Sequence, residues 1–449
     1  MENRMRADVL ILGGGAAGMA AAIQLAEIRN RAGQPGRILL ADRMEKPGKK
    51  LLATGNGRCN LGNRNVSAAG YATRSPRRLE EILAGAPFER QRAFFENHGL
   101  LCDLQPDGRM YPYSYFAGTV VEALRRSLRA AGVEELAGFE AVRLEKADGG
   151  FCVTARDGRA LQAGQVLLAA GGKAAPALGS DGSGLELAAS LGHTLHPVWP
   201  ALTAFTSSSP LCRDLKGVRA AARAGLYSGG RLLAEDTGEV QFTEYGLSGI
   251  PFFQLSLSYG MLPPARRQGI SARVDLFPAR SAESLAAWLA RQGGRGCSAG
   301  EALEGMLHWK LARAVGKAAG IPEKAPLDEA AARRLAAALK GLEFPISGTL
   351  GWEQCQVTGG GVSLEEVDPV TMESRLCPGL YLAGEILDAA GLCGGYKLHW
   401  AFGTGLLAGR GMAGECAIGQ GRPAPEKKRR EGPAPKRKKP AVGGGRKKR

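Results

Sequence analysis

The run from Asp8 to Asp42 limits the fold more than any other stretch of the chain. Four apolar residues, Val9-Leu10-Ile11-Leu12, lead into Gly13-Gly14-Gly15-Ala16-Ala17-Gly18. An alanine-rich helical pattern, Met19 to Glu27, follows, and a second apolar run, Ile38 to Ala41, stops at Asp42. Strand, glycine turn, helix, strand and terminal acid in this order make a dinucleotide-binding βαβ unit. Gly13 permits the tight turn, Gly15 lets a pyrophosphate approach the backbone, and Gly18 lets the helix pack closely on the strand. The helix N-terminus offers free N–H groups and a partial positive charge to phosphates. Asp42 stands where a carboxylate accepts hydrogen bonds from ribose hydroxyls. The spacing from Gly18 to Asp42 exceeds the roughly 20 residues of the usual pattern, and Arg29 to Arg37 reads as an enlarged loop that takes up the difference. This unit alone does not separate FAD from NAD.

A second segment does. Gly379 to Glu385 (GLYLAGE) reads as a strand ending on glycine and acid; Asp388 follows, and Gly394-Gly395-Tyr396 opens a helix to Ala408. Such a strand would bring Gly384 or Asp388 to the ribityl chain or pyrophosphate. A helix opening at Gly395 would aim its dipole at the flavin N1/C2=O edge, which turns negative on reduction. Two cofactor-facing segments at opposite ends of the chain favour FAD.

Between them, Gly48 to Asn63 (GKKLLATGNGRCNLGN) is too rich in Gly and Asn for a helix and reads as a cofactor-facing loop carrying Lys50 and Arg58. No GKS or GKT closes it, so it is no Walker A loop. Ser75 to Asn97 looks helical. Phe139–Val142, Phe151–Ala155 and Val166–Ala170 look like strands, with Val142 expected near an adenine. Gln165 to Gly172 (QVLLAAGG) returns the chain to the parallel sheet. The texture changes over 198–350: short strands and turns to 278, then helical periodicity over 279–342. No second GxGxxG lies inside, which argues against a dedicated nicotinamide domain. The expected layout is an FAD-binding part over 1–197, an inserted substrate domain over 198–350 and the returning FAD-binding part over 351–420.

The 449 residues carry a net charge of +16. Residues 421–449 hold thirteen Lys or Arg against two Glu, which leaves only +5 for the other 420. The basic signal therefore belongs to a tail, too poor in apolar residues to fold. The nine cysteines are dispersed and form no CxxC pair. That reads as a reduced, cytoplasmic protein and argues against a flavin disulfide reductase. No stretch is long and apolar enough for a membrane span.

With these residues in place, the chain resembles the BaiN/RdsA-type, aminoacetone-oxidase-family FAD-dependent oxidoreductases over Asp8 to about Gly411. The matching segments include VLILGGGAAGMAAA, GKKLLATGNGRCNLGN, GRMYPYS, LLAAGGKAAPALGSDGSG, GEVQFTEYGLSGI and GLYLAGEILDAAGLCGGY. The resemblance implies an α/β fold: a two-dinucleotide-type Rossmann FAD-binding domain, split by an inserted β-barrel-like domain that carries helices. It implies FAD contacts at Gly13, Gly15, Ala16, Gly18, Asp42, Lys50, Thr54, Gly57, Arg58, Asn60, Val142, Gly171, Gly384, Asp388 and Gly395. Lys397 and His399 stand where the family usually has Asn and Gln, and Glu244 replaces a frequent His, so the substrate does not carry over.

The expected function is a flavin oxidoreductase moving hydride through flavin N5, with NAD(P)H as a transient donor and a small-molecule substrate between the FAD domain and the insert. A flavin oxidase using oxygen, an RNA-associated flavoprotein docking nucleic acid through the tail, and a non-catalytic sensor of FAD are the alternatives. Catalytic candidates are Tyr396, His399 and Tyr111, with Tyr245 also polar and near a cofactor loop. His193, His196 and Cys59 read as structural. No metal-ligand cluster is evident in the sequence.

Overall fold

A computed structural model describes residues 5–415; the basic tail lies outside the described residues. The first strand, Met5–Leu12, pairs in parallel with Ile38–Ala41 on one side and Ala160–Leu168 on the other. Glu134–Leu136 extends the sheet beyond Ile38–Ala41, again in parallel. Val9 to Leu12 and Ile38 to Ala41 are buried at every position. Both faces of the sheet are covered, which is why these strands are unbroken apolar runs rather than alternating ones.

Ala160–Leu168 has two partners along one edge. Its first half pairs antiparallel with Gly150–Ala155, part of a hairpin with Ala141–Ala147, and its second half pairs in parallel with Leu380–Leu382. The last strand of the dinucleotide fold is thus supplied from more than two hundred residues downstream.

The opening helix Ala16–Arg31 is packed against the closing helix Tyr396–Met412. Their approach depends on missing side chains. A Cβ at Gly405 would sit 2.3 Å from the Ala17 carbonyl oxygen, and one at Gly409 2.6 Å from that of Ala21. Alanines on one helix and glycines on the other let the backbones touch.

An antiparallel ribbon, Leu195–Ala201 with Val357–Val362, leads to the insert and back. The insert is a closed six-stranded barrel, in the order Phe205–Ser207, Gly246–Gly249, Arg231–Thr243, Arg219–Ser228, Ile270–Asp275 and Leu342–Thr349. Four helices between its last two strands, Ala282–Gly293, Ala299–Glu304, Trp309–Ala319 and Glu329–Lys340, share its core through Leu285, Val315 and Leu335. The barrel and helices have a hydrophobic core separate from that of the dinucleotide fold.

Several boundaries differ from the sequence expectation. Ser75 to Asn97 forms two helices, Pro76–Gly85 and Phe88–Asn97, because Pro87 cannot continue a helix. The Gly48–Asn63 loop contains a single helical turn, Lys49–Leu52, before a 3₁₀ turn at Thr54–Gly57. The strand expected at Phe139–Val142 begins at Ala141. No helix among the described residues is long and apolar enough to cross a membrane.

Candidate functional site: a dinucleotide cradle with a charged far end

The strand–turn–helix junction opens into a cleft that communicates with solvent. Gly13 has a φ of 111°, and a Cβ there would meet the Ala169 carbonyl oxygen at 2.3 Å, so only glycine makes this turn. A Cβ at Gly18 would meet the Gly13 carbonyl oxygen at 1.9 Å. Gly15 is different: nothing lies within 4 Å of its missing Cβ, because that position faces the cleft. Gly15 also caps the opening helix, whose first-turn N–H groups no side chain or first-turn acid engages. Unsatisfied donors facing an open cleft suit a diphosphate.

On one side of this turn stand Asp42, Arg43 and Met44, together with Phe139, Glu140 and Ala141. Asp42 is held rigidly: its Oδ2 accepts from the Gly14 N–H at 2.6 Å and its Oδ1 from the Met44 N–H at 2.7 Å. Arg43 is neutralised by Glu140 and Asp181.

The other side gathers residues from four segments: Lys50 and Thr54, Gln356 and Val357, Gly384 and Glu385, and Lys397, Leu398 and Trp400. Lys50 Nζ donates to Glu385 Oε2 at 2.7 Å and to the Ala174 carbonyl at 3.1 Å. Glu385 Oε1 accepts from the N–H and the hydroxyl of Thr358. Burial opposes ionisation of Glu385, but the Lys50 charge and the Lys50 and Thr358 hydrogen bonds outweigh it and hold its carboxyl below the usual range. Trp400 Nε1 donates to the Gly384 carbonyl at 3.0 Å, and the Gly384 N–H donates to Thr404, so the closing helix fixes this turn.

Of the residues expected to touch FAD, Gly13, Gly15, Ala16, Asp42, Lys50, Thr54, Gly171 and Gly384 line the cleft. Gly18 lies beneath it as the packing glycine. The others stand elsewhere. Val142 is 45% exposed and points outward; its neighbours Phe139, Glu140 and Ala141 reach the cleft instead. The strand register shifts between Ala141 and Arg143, and Val142 falls in that irregularity, which no local pattern marks. Asp388 is fully buried, accepts from the Arg74 N–H and lies 3.9 Å from both Arg74 and His196. Burial pushes its carboxyl up, and it braces the connecting ribbon rather than the cleft. Gly57 and Arg58 lie on the outer side of their loop, with the Arg58 guanidinium 5.6 Å above the Tyr111 ring. The Asn60 amide suits donating to the Gly62 and Met110 carbonyls and accepting from the Gly395 N–H, which ties that loop to the closing helix.

The three catalytic candidates do not line the cleft. His399 is buried, its Nε2 beside the Ala86 carbonyl at 3.2 Å, and burial pushes it down to about 4 against the opposing effect of that bond. It is a neutral core histidine. The Tyr396 hydroxyl donates to the Asn65 carbonyl at 3.2 Å, and its ring packs on Gly70 and Gly391. Tyr111 is buried and stacked on Tyr115. Tyr245 and Glu244 sit on the barrel surface, Glu244 paired with Lys216. Cys59 is buried, and desolvation pushes its thiol up to about 11, so it stays protonated. His193 bridges Glu366 and Ser374.

Sequence reading missed the pairing role of Glu385 and the reach of Gln356 into the cleft. The signal for Glu385 was the acid straight after the strand-terminal Gly384. Nothing local marks Gln356.

Glycine turn, open helix N-terminus, terminal aspartate and a downstream strand closing the same sheet define a dinucleotide-binding α/β protein with an inserted barrel. Residues 7–411 match the HI0933-like protein Rossmann domain family, and the chain belongs to that family. It is 39% identical to the 3-dehydro-bile acid delta(4,6)-reductase of Clostridium scindens, over 90% of this chain and 98% of that one. It is 28% identical to the ribosomal RNA dihydrouridine synthase of Escherichia coli, over 89% and 96% of the two chains. The corresponding figures for the protein of the same name from Haemophilus influenzae are 25%, 88% and 96%. The chain is an FAD-dependent oxidoreductase.

Proposed function

We propose that this flavoprotein uses NAD(P)H to saturate a carbon–carbon double bond conjugated to a carbonyl in a small organic substrate. The observation that carries this reading is the end-to-end identity of 39% with a bile-acid reductase. The name dihydrouridine synthase, borne by two more distant relatives, describes the same bond chemistry, since the uracil double bond is also conjugated to a carbonyl.

FAD, when bound, supplies a two-electron carrier that accepts hydride from NAD(P)H and donates hydride to the substrate. The chain's part is binding and orientation. The Gly15 backbone and first helical turn hold the diphosphate, and Asp42 holds the ribose. Lys50, anchored by Glu385, which Thr358 holds in turn, stiffens the opposite wall. Gln356 and Val357 bring the connecting ribbon to the same cleft, and the substrate is placed beside it, on the side of the ribbon that leads to the barrel. The substrate takes hydride at one carbon and a solvent proton at the other.

The test is an anaerobic titration of the purified protein, followed by its flavin absorbance. NADH or NADPH should bleach it, and a 3-oxo-4,6-diene steroid should restore the colour. Recovery with dioxygen but not with the enone would replace this reading with an oxidase. Recovery with an RNA transcript but not with the steroid would move the substrate to nucleic acid. The basic tail that motivated an RNA partner lies outside the described residues.

A further inference from the structure

The closing helix places a cation where its own electrostatics disfavour one. Lys397 is the second residue of the seventeen-residue helix Tyr396–Met412, within the turn that carries the helix's partial positive charge. No acidic residue shares that turn. Lys397 is half-buried and lines the cleft. Its Nζ donates to a neutral group, Gln356 Oε1 at 3.1 Å. Lys50 in the same wall has Glu385 at 2.7 Å, whereas Lys397 has no carboxylate within ion-pairing distance among the described residues.

Glu385 is the carboxylate lining this end, and it is already engaged by Lys50 and Thr358. Two ammonium groups, one carboxylate and a helix N-terminus leave the end net positive. Burial pushes the Lys397 ammonium down, Cys393 and Glu385 oppose that shift, and Lys50 adds to it. The arrangement suits an electron-rich ligand group.

The glycine turn and Asp42 claim the diphosphate and adenosine, which leaves the end holding Lys50 and Lys397 for the isoalloxazine ring. A flavin that has taken up two electrons and one proton carries a negative charge that the oxidised ring lacks. We infer that Lys397 meets this charge, so that the cleft holds reduced FAD more tightly than oxidised FAD. Lys397 is then the residue that sets the reduction potential, and the positive end of the helix adds to its effect. The inference rests on the FAD assignment and not on the identity of the substrate.

The test compares Lys397→Met, which keeps length and removes charge, with Lys397→Arg, which keeps charge. The midpoint potential of bound FAD is measured by equilibrium titration against a reference dye. Affinity for oxidised FAD is measured by flavin fluorescence. Lys397→Met should lower the equilibrium constant for reduction at least tenfold, about 30 mV for a two-electron couple. Its affinity for oxidised FAD should change less than threefold. Lys397→Arg should stay within threefold of the wild type in both. Lys397→Met at the wild-type potential, or an Arg variant shifted as far as the Met variant, overturns the inference. If the Met variant does not fold, Lys397→Gln is read by the same criteria. A wild-type protein that binds no FAD would remove the cofactor assignment itself. Loss of enone reduction with the potentials ordered as stated would leave Lys397 in its role.

Discussion

Replacing Gly15 with alanine separates the ligand's space from the protein's. At Gly18 an added methyl would collide with the Gly13 carbonyl oxygen at 1.9 Å, with the Ile11 side chain at 3.2 Å beside it. That overlap is relieved only by moving the helix off the strand, an overpacking cost of about 1–3 kcal/mol. At Gly15 no protein atom lies within 4 Å of the new methyl, and φ −86°, ψ −165° is open to alanine. The cost to the apoprotein is the preference for glycine over alanine at a helix cap, at most about 1 kcal/mol. With bound FAD the methyl occupies the diphosphate's approach to the first-turn N–H groups. Loss of one charge-assisted hydrogen bond, about 1.5–3 kcal/mol, corresponds to roughly 10- to 100-fold weaker binding. The assay is titration of the apoprotein with FAD by flavin fluorescence, beside thermal unfolding of the apoprotein by circular dichroism. Gly15→Ala should melt within a few degrees of the wild type yet bind FAD at least tenfold more weakly. Gly18→Ala should lose both stability and affinity. Wild-type FAD affinity in Gly15→Ala would refute the cradle.

Two further outcomes follow from the buried charges. His399 is held neutral, lowered from 6.5 to about 4, so the unfolded chain binds more protons in that window. Stability should therefore fall as pH drops from about 6.5 toward 4, by up to about 3 kcal/mol from this residue. Urea unfolding of His399→Gln at pH 5 and pH 7.5 should show a smaller difference than the wild type, with turnover retained; an equal difference would contradict the reading. Glu385→Gln should destabilise the apoprotein by about 1–2 kcal/mol at pH 7, since the lost hydrogen bonds are charge-assisted but the pair keeps partial contact with solvent, 26% and 22% exposed. Because its carboxyl is held below the usual range, that contribution is present above the ordinary glutamate pKa and lost as pH falls through the lowered one. The difference from the wild type, read by urea unfolding, should be flat from pH 6 to 8 and shrink in acid; a gap that widens in acid would refute it.

The amino-acid sequence alone determined the elements whose physics is local. Four apolar residues, three glycines at fixed spacing and a terminal aspartate make one unit, and Leu12, Gly13, Gly15 and Asp42 of it line the cleft because turn geometry and diphosphate chemistry need the same backbone. The downstream GLYLAGE strand and the insert's change of texture were also legible, since each rests on a short-range pattern. Orientation was not legible. A shift in strand register between Ala141 and Arg143 left Val142 exposed, a helix face took His399 into the core, and Asp388 went to Arg74 and His196. These depend on which neighbour each element meets, and that neighbour comes from hundreds of residues away. Tertiary structure alone brought Lys50, Gln356, Glu385 and Lys397 to one wall, from segments up to 347 positions apart. No local pattern records such a meeting, because the ion pair of Lys50 and the unpaired charge of Lys397 exist only once the chain has closed.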